Sequence, residues 1–137
     1  MKAAYVTKFR VPFGDVDMMG HVNNAKYLTY FETARTNLLG EAFGIYSGGE
    51  MGLIIAHAEI DYKAPARWND ELTVKVRPSS MGNSSFVYEY EITNQDRNMV
   101  ATGKTVQVAY DYSKGTSIPI PEPARTVLRK QIEETKD

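Results

Sequence analysis

Apolar residues recur along this chain with two different periods, and the switches between them set the element order. Residues 3–11 (AAYVTKFRV) carry Tyr5, Val6, Phe9 and Val11, which have strand propensity, and Pro12 and Gly14 close them off, so a first strand is expected. A loop rich in Asp, Asn and Gly follows, GDVDMMGHVNN, ending in good helix-capping residues. Then the period lengthens. Tyr27, Tyr30, Phe31, Ala34 and Leu38 fall at i, i+3, i+4, i+7 and i+11, one face of a helix expected from Asn24 to Leu39 with Gly40 placed to stop it. Leu28 and Leu39 widen the apolar surface, which predicts a helix buried on more than one side. Residues 41–52 contain Gly44, Gly48, Gly49 and Gly52 and read as a mobile connection with room for one short helical turn.

After that segment the period drops to two. In 53–63, Ile54, Ala56, Ala58, Ile60 and Tyr62 alternate against Ile55, His57, Glu59 and Asp61. Pro65 and Trp68-Asn69-Asp70 make a turn. In 71–77, Leu72, Val74 and Val76 alternate against Thr73, Lys75 and Arg77, and Pro78 to Asn83 forms the next connection. In 85–93, Phe86, Tyr88, Tyr90 and Ile92 alternate against Val87, Glu89 and Glu91, and residues 94–98 form a hairpin turn. Residues 99–112 make a last strand with Val106, Val108 and Tyr110 on one face and Gly103 as a candidate bulge. A tail of about 121–137, entered through Pro119, Pro121 and Pro123, carries a charged helical pattern from Ala124 to Glu134. One strand, a long helix and four antiparallel strands make an α+β order, and no repeat or linker divides it, so 1–137 reads as a single domain.

Composition narrows the chemistry. A chain of 137 residues can bury a core without crosslinks. It has no cysteine, which excludes a disulfide scaffold, a thiolate nucleophile and any Cys-based metal site. With 16 basic against 17 acidic residues there is no positive excess for a nucleic-acid backbone, so no nucleic acid is expected. Lys2, Lys8 and Arg10 interrupt the N-terminal apolar run, and no stretch approaches the ~20 apolar residues of a membrane span, so a cytoplasmic protein without membrane contact is expected. The G-x-S-x-G, G-x-x-x-x-G-K, G-x-G-x-x-G and H-E-x-x-H motifs are all absent. With only His21 and His57 as histidines, no metal and no other cofactor is expected.

The segment Asp15 to Asn24 brings two acids, one His and two amides together just before the long helix. A helix start presents unpaired N–H groups and the positive end of the macrodipole, which can hold a carbonyl oxygen as negative charge develops on it. A carboxylate beside it could attack that carbonyl or activate a water. On spacing alone, the commoner reading is a capping loop, with Asp and Asn bonded to local backbone.

The string D-V-D-M-M-G-H-V-N-N-A-K-Y-L-T-Y-F-E-T-A-R, Asp15 to Arg35, resembles the D-x-D-x-x-G-H-V-N-N-x-x-Y-x-x-Y-x-E-x-A-R signature of the 4-hydroxybenzoyl-CoA thioesterase-like family of hot-dog proteins. Ile60-Asp61-Tyr62, Pro65, Asn69-Asp70-Glu71-Leu72 (where the family has G-D-x-L) and Gly82-Asn83-Ser84-Ser85-Phe86 extend the resemblance over roughly residues 5–112. It implies a hot-dog fold, a long helix wrapped by a curved antiparallel sheet. It also implies hydrolysis of an acyl-CoA or acyl-carrier-protein thioester, and a homodimer or homotetramer with sites at the dimer interface. The family's catalytic carboxylate falls on Asp17, as nucleophile or general base, and its carbonyl-polarising backbone N–H falls around Asn24. The H-V-N-N form resembles the fatty-acyl or broad-range branch, since the aryl-CoA branch has apolar or aromatic residues at His21, Asn23 and Asn24.

Other residues carry two readings each. His21 could position Asp17 or a water, or hold the loop. Asn23 could orient a water or substrate, or cap the helix. Tyr27 belongs to the apolar face and is also a candidate for the acyl pocket, whose depth further depends on the flexible Met18 and Met19. Asp15 is expected to bond backbone, and Glu32 with Arg35 to form an ion pair. His57, Glu59 and Asp61 form an interface or solvated face, or else a second site. Lys63, Arg67, Arg77 and Lys104 are candidates for CoA phosphates or simply scattered surface charge. The competing function is a hot-dog protein that binds acyl thioesters without hydrolysing them. A hot-dog dehydratase would need an H-F-P-x-x-P string, which is absent.

Overall fold

The computed structural model describes residues 1–44 and 51–137. Strand β1 (Tyr5–Arg10) leads through a single 3-10 turn to helix α1 (Lys26–Phe43). Strands β2 (Met51–Tyr62), β3 (Glu71–Met81), β4 (Ser85–Thr93) and β5 (Met99–Asp111) follow, then a two-residue strand β6 (Thr116–Ser117) and helix α2 (Glu122–Glu134). The strands form one antiparallel sheet in the order β1-β3-β4-β5-β2, with β6 paired to β5. This is the hot-dog architecture, and α1 lies against one face of the sheet.

The apolar face expected of α1 is the one that is buried. Tyr27, Tyr30, Phe31, Ala34 and Leu38 pack with Leu72, Val74 and Val76 of β3 and with Phe86, Tyr88, Tyr90 and Ile92 of β4. Leu39 is also buried, but Leu28 is exposed, so the second side of the helix is only partly covered. Gly40 does not stop the helix. It sits within α1, which runs one turn further to Gly44, whose N–H bonds the Gly40 carbonyl. Of the expected connection 41–52, Gly44 is thus a helix terminus and Gly52 lies inside β2, while Gly48 and Gly49 lie outside the described residues. β3 continues through Pro78 to Met81, with a bulge between Pro78 and Ser80, so the connection expected from Pro78 is shorter. Pro78 is tolerated because β1 pairs with β3 only as far as Val76, which leaves no ladder donor to lose on that side.

Two corrections concern which side chains meet the helix. The alternation expected in β2 is broken by a bulge between Ile55 and His57. Directly paired residues of an antiparallel ladder share a face. Ala58, Ile60 and Tyr62 oppose Thr105, Gly103 and Ala101, on the helix side, whereas Ile54 opposes Val108 on the far side and Leu53 and Ile55 take the near one. The extra residue reverses the pattern halfway along the strand. Gly103, by contrast, makes no bulge, since its pairings with Ile60 and Tyr90 are regular. A Cβ there would lie 2.5 Å from the Phe31 ring and 2.7 Å from the Glu59 carbonyl, so the glycine marks where α1 presses closest on the sheet. Val106, Val108 and Tyr110 do share a face, but it is the one turned away from α1; the inward positions of β5 are the small or polar Ala101, Thr105, Gln107 and Ala109.

Helix α2 begins two residues earlier than its charged pattern suggests and buries Ala124, Leu128 and Gln131 against α1 and β3. Arg77 secures its end, donating to the Thr135 carbonyl at 2.7 Å and to both Asp137 carboxylate oxygens at 3.0 and 2.9 Å.

Candidate active site

The loop from Asp15 to Asn24 is fixed largely by its own backbone. Asp17 N–H donates to the His21 carbonyl and Asn23 N–H to the Asp15 carbonyl, so Val16 and Val22 pair as a short bridge. Gly20, at φ +82°, lets the chain reverse between them, its N–H bonding the Asp17 carbonyl. Val22 is buried and bonds Ala66, which ties this loop to the one after β2 and lays His21 beside Arg67.

The loop delivers the chain to α1 with its first peptides held. The Asn23 Oδ1 accepts the Ala25 N–H at 3.0 Å and the Asn23 carbonyl accepts the Lys26 N–H, so Asn23 closes the turn just ahead of the helix, whose N-cap, Ala25, has no side-chain cap. The Asn24 carbonyl accepts from the Tyr62 hydroxyl at 2.8 Å. The Asn24 N–H has no intrachain acceptor among the described residues. Asn24 lines a cleft of about 370 Å³ with His21, Val22, Tyr27, Tyr62, Lys63 and Pro65.

Asp17 is exposed and does not itself line this cleft; its N–H bonds the carbonyl of His21, which does, and its Oδ1 accepts the Met19 N–H at 2.9 Å. Tyr27 registers its charge. Burial is the main effect holding that phenol above its ordinary pKa, partly offset by its bond to the Ala66 N–H, with Tyr62, Asp70 and Asp17 adding to the rise. Tyr27 therefore stays neutral and presents an aromatic wall, edge-on to Tyr62 at 5.2 Å. Tyr30, one turn along, is pushed up further by burial and by donating to Asp15 Oδ2 at 2.7 Å. The Asp15 carboxylate, also 3.7 Å from Lys26, is thus engaged by side chains rather than by the backbone expected for it.

The structure thus gathers His21, Asn24 and Tyr27 at one cleft, while Asp17 lies outside its lining, bonded through its backbone to His21. Met18 and Met19 project into solvent and do not line it, nor does Asn23. Of the four candidate phosphate cations, Lys63 lines the cleft and Arg67 lies beside His21. Arg77 and Lys104 belong to a different surface, a depression on the sheet that they share with Glu59, Asp61, Glu89 and Glu91. There Arg77–Glu89 and Lys104–Glu59 oppose each other across strands, a solvated charge ladder, and His57 is not part of it. Glu32 and Arg35 form the expected pair at 3.5 Å. Among the described residues no three His, Asp or Glu side chains are placed to hold a metal, and no helix is long and apolar enough to cross a membrane. Sequence reading missed Tyr62 as a site residue; its only signal was its place in the Ile60-Asp61-Tyr62 string.

Fold and site together define a hot-dog enzyme of the acyl-thioester-handling kind, and residues 11–130 match the thioesterase-like superfamily, to which this chain belongs. The particulars come from its relatives. It is 30% identical over 117 residues to 1,4-dihydroxy-2-naphthoyl-CoA hydrolase of Synechococcus elongatus, covering 82% of this chain and 85% of that one. It is 27% identical to the acyl-CoA thioester hydrolase YbgC of Escherichia coli O6:H1, over 74% and 78% of the two chains. A thioesterase from Thermus thermophilus, solved with coenzyme A and Zn, superposes with a TM-score of 0.86 at 31% identity, covering 96% of each chain.

Proposed function

We propose that this protein hydrolyses an acyl-CoA or closely related acyl thioester to the free acid and thiol, with Asp17 as nucleophile or general base. The observation that carries the reading is the Asn24 N–H, without an acceptor among the described residues, on the wall of a cleft lined by His21, to whose carbonyl the Asp17 backbone is bonded. A thioester carbonyl seated against that N–H would have its oxygen polarised at the positive end of α1. Asp17 would then add to the carbonyl carbon and expel the thiolate, leaving an anhydride for water to open. Alternatively it would take a proton from a water that adds directly. Its bond to the Met19 N–H fixes the orientation of the carboxylate.

Substrate class follows from the walls. Tyr27, Tyr62 and Val22 suit an apolar acyl group, and Lys63 with Arg67 suits the phosphates of a CoA thiol. The relatives are named for an aromatic and for an unspecified acyl group, so both aromatic and aliphatic chains belong in the assay.

The second part of the proposal is a homodimer. Among the described residues β2 pairs only with β5, which leaves its other edge without a strand, and Ile55, Ala56 and Ala58 are exposed along it beside Leu28. An uncovered apolar edge of this length invites pairing. A second copy added there would meet the cleft, because Tyr62 and Lys63 lie at the end of the same strand. Light scattering of Ile55→Glu against wild type tests it: a monomer only in the variant is expected, and a monomeric wild type would overturn it.

The decisive test of activity is thiol release from short, medium, long and aromatic acyl-CoAs. Wild type is expected to turn over at least one class. Binding without turnover on every substrate would instead make the protein a non-hydrolytic acyl-thioester binder.

A further inference from the structure

We propose that Tyr62 is a positioning residue for the thioester carbonyl, acting through the backbone of Asn24. The inference rests on the hydrolase reading above and extends it to a residue on another element. The Tyr62 hydroxyl donates to the Asn24 carbonyl at 2.8 Å, across 38 residues of sequence. That carbonyl lies just ahead of α1, which begins at Lys26, so the tyrosine ties the end of β2 to the backbone that enters the helix. The other end of the same peptide is held as well, because the Ala25 N–H donates to Asn23 Oδ1. The preceding peptide is fixed by the bond from Lys26 N–H to the Asn23 carbonyl. Both peptides flanking Asn24 are therefore clamped while its own N–H stays open to the cleft. A donor oriented in advance costs no reorganisation when the carbonyl gains charge.

The tyrosine is placed to do this by β2. It is the last residue of the strand, opposite Ala101, and its ring is fixed edge-on against Tyr27 at 5.2 Å. Half its surface remains exposed, so the residue stands in the cleft wall rather than in the core. The hydroxyl bonds the carbonyl of the 24–25 peptide, not the donor itself, so its effect is on where the Asn24 N–H points. Loss of that bond should slow the chemical step and leave ground-state binding nearly intact.

The experiment measures the carbonyl stretch of a 13C-labelled acyl-CoA bound to Asp17→Asn, which keeps the thioester whole, with and without Tyr62→Phe. The expected result is a stretch lowered on binding to Asp17→Asn and returned more than halfway to its solution value by the added Tyr62→Phe, with Kd changed less than about threefold. In the Asp17 background, Tyr62→Phe should lower kcat about tenfold at nearly constant KM. A fluorinated tyrosine that ionises near neutral pH, placed at position 62, keeps the ring packing. It should add a falling limb to the pH–rate profile as the phenolate stops donating. An unchanged frequency and kcat, or a change in KM alone, would overturn the proposal. If wild type releases no thiol, the hydrolase reading has failed, and the frequency comparison run on the bound thioester of wild type still decides for or against Tyr62. No bound thioester at all overturns both.

Discussion

Two clefts open along α1 where it faces β2, one turn apart, and they differ in whether their polar groups are already engaged. The first, at the helix start, has an Asn24 N–H without an acceptor among the described residues and a Tyr62 hydroxyl that donates to the Asn24 carbonyl. The second, about 210 Å³ between Leu28, Glu32, Arg35, Ile55, Ala58 and Thr105, is also lined by charge. There, however, the polar groups form a closed chain. Arg35 pairs with Glu32 and donates to the Tyr90 hydroxyl at 3.5 Å, which donates to Thr105; Thr105 donates to Gln107, and Gln107 to the Phe86 carbonyl at 3.2 Å. A connected network of this kind stiffens the fold and holds these groups on each other. An acid and a base in a cleft do not by themselves make a site, and the two clefts can be told apart by substitution.

Substitutions in each cleft can break that contrast. The largest effect is expected from Asp17→Asn, a fall in kcat of about a thousandfold at unchanged Tm, read from thiol release and a thermal melt. Equal activity would remove Asp17 from the chemistry. Arg35→Met should do the reverse, lowering stability by about 2 kcal/mol in a urea titration while kcat stays within about threefold. Tyr30→Phe should cost about 1 kcal/mol by removing the bond to Asp15. It should also flatten the alkaline loss of stability. The folded chain keeps the Tyr30 proton that the unfolded chain releases near pH 10, so stability is complete below that pH and falls as pH rises above it. The smallest effect is expected from Glu32→Gln, under about 0.5 kcal/mol and within twofold in rate, since its partner pair lies at the surface on the glutamate side. A large rate loss there would move the chemistry to the second cleft.

Much of the fold could be read before any coordinates. Period 3.6 over Tyr27 to Leu38 and period 2 over Leu72 to Val76 and Phe86 to Ile92 report burial directly, because in each of those elements one face meets the core. β2 and β5 resisted for a local reason. A bulge in β2 reverses its faces, and β5 lies where α1 presses closest, so glycine, alanine and threonine take its inward positions and valines the outward ones. Periodicity that assumes large residues point inward fails there. At the cleft, His21, Asn24 and Tyr27 could be grouped from sequence because a single loop and helix start carry them. Tyr62 could not, because the bond that recruits it closes across a strand, and no local pattern records a contact of that length.

The strand order has a consequence for how the chain is made. Each outer strand waits for a partner synthesised much later: β1 for β3, and β2 for β5, whose far end lies at Asp111. At about 5–20 residues per second, roughly 3–10 s separate the emergence of Tyr62 from that of Asp111. During that interval Ile54, Ile55 and Ile60 lie on a segment whose β5 partner has not yet been made, so the nascent chain leaves uncovered apolar surface that the finished sheet pairs.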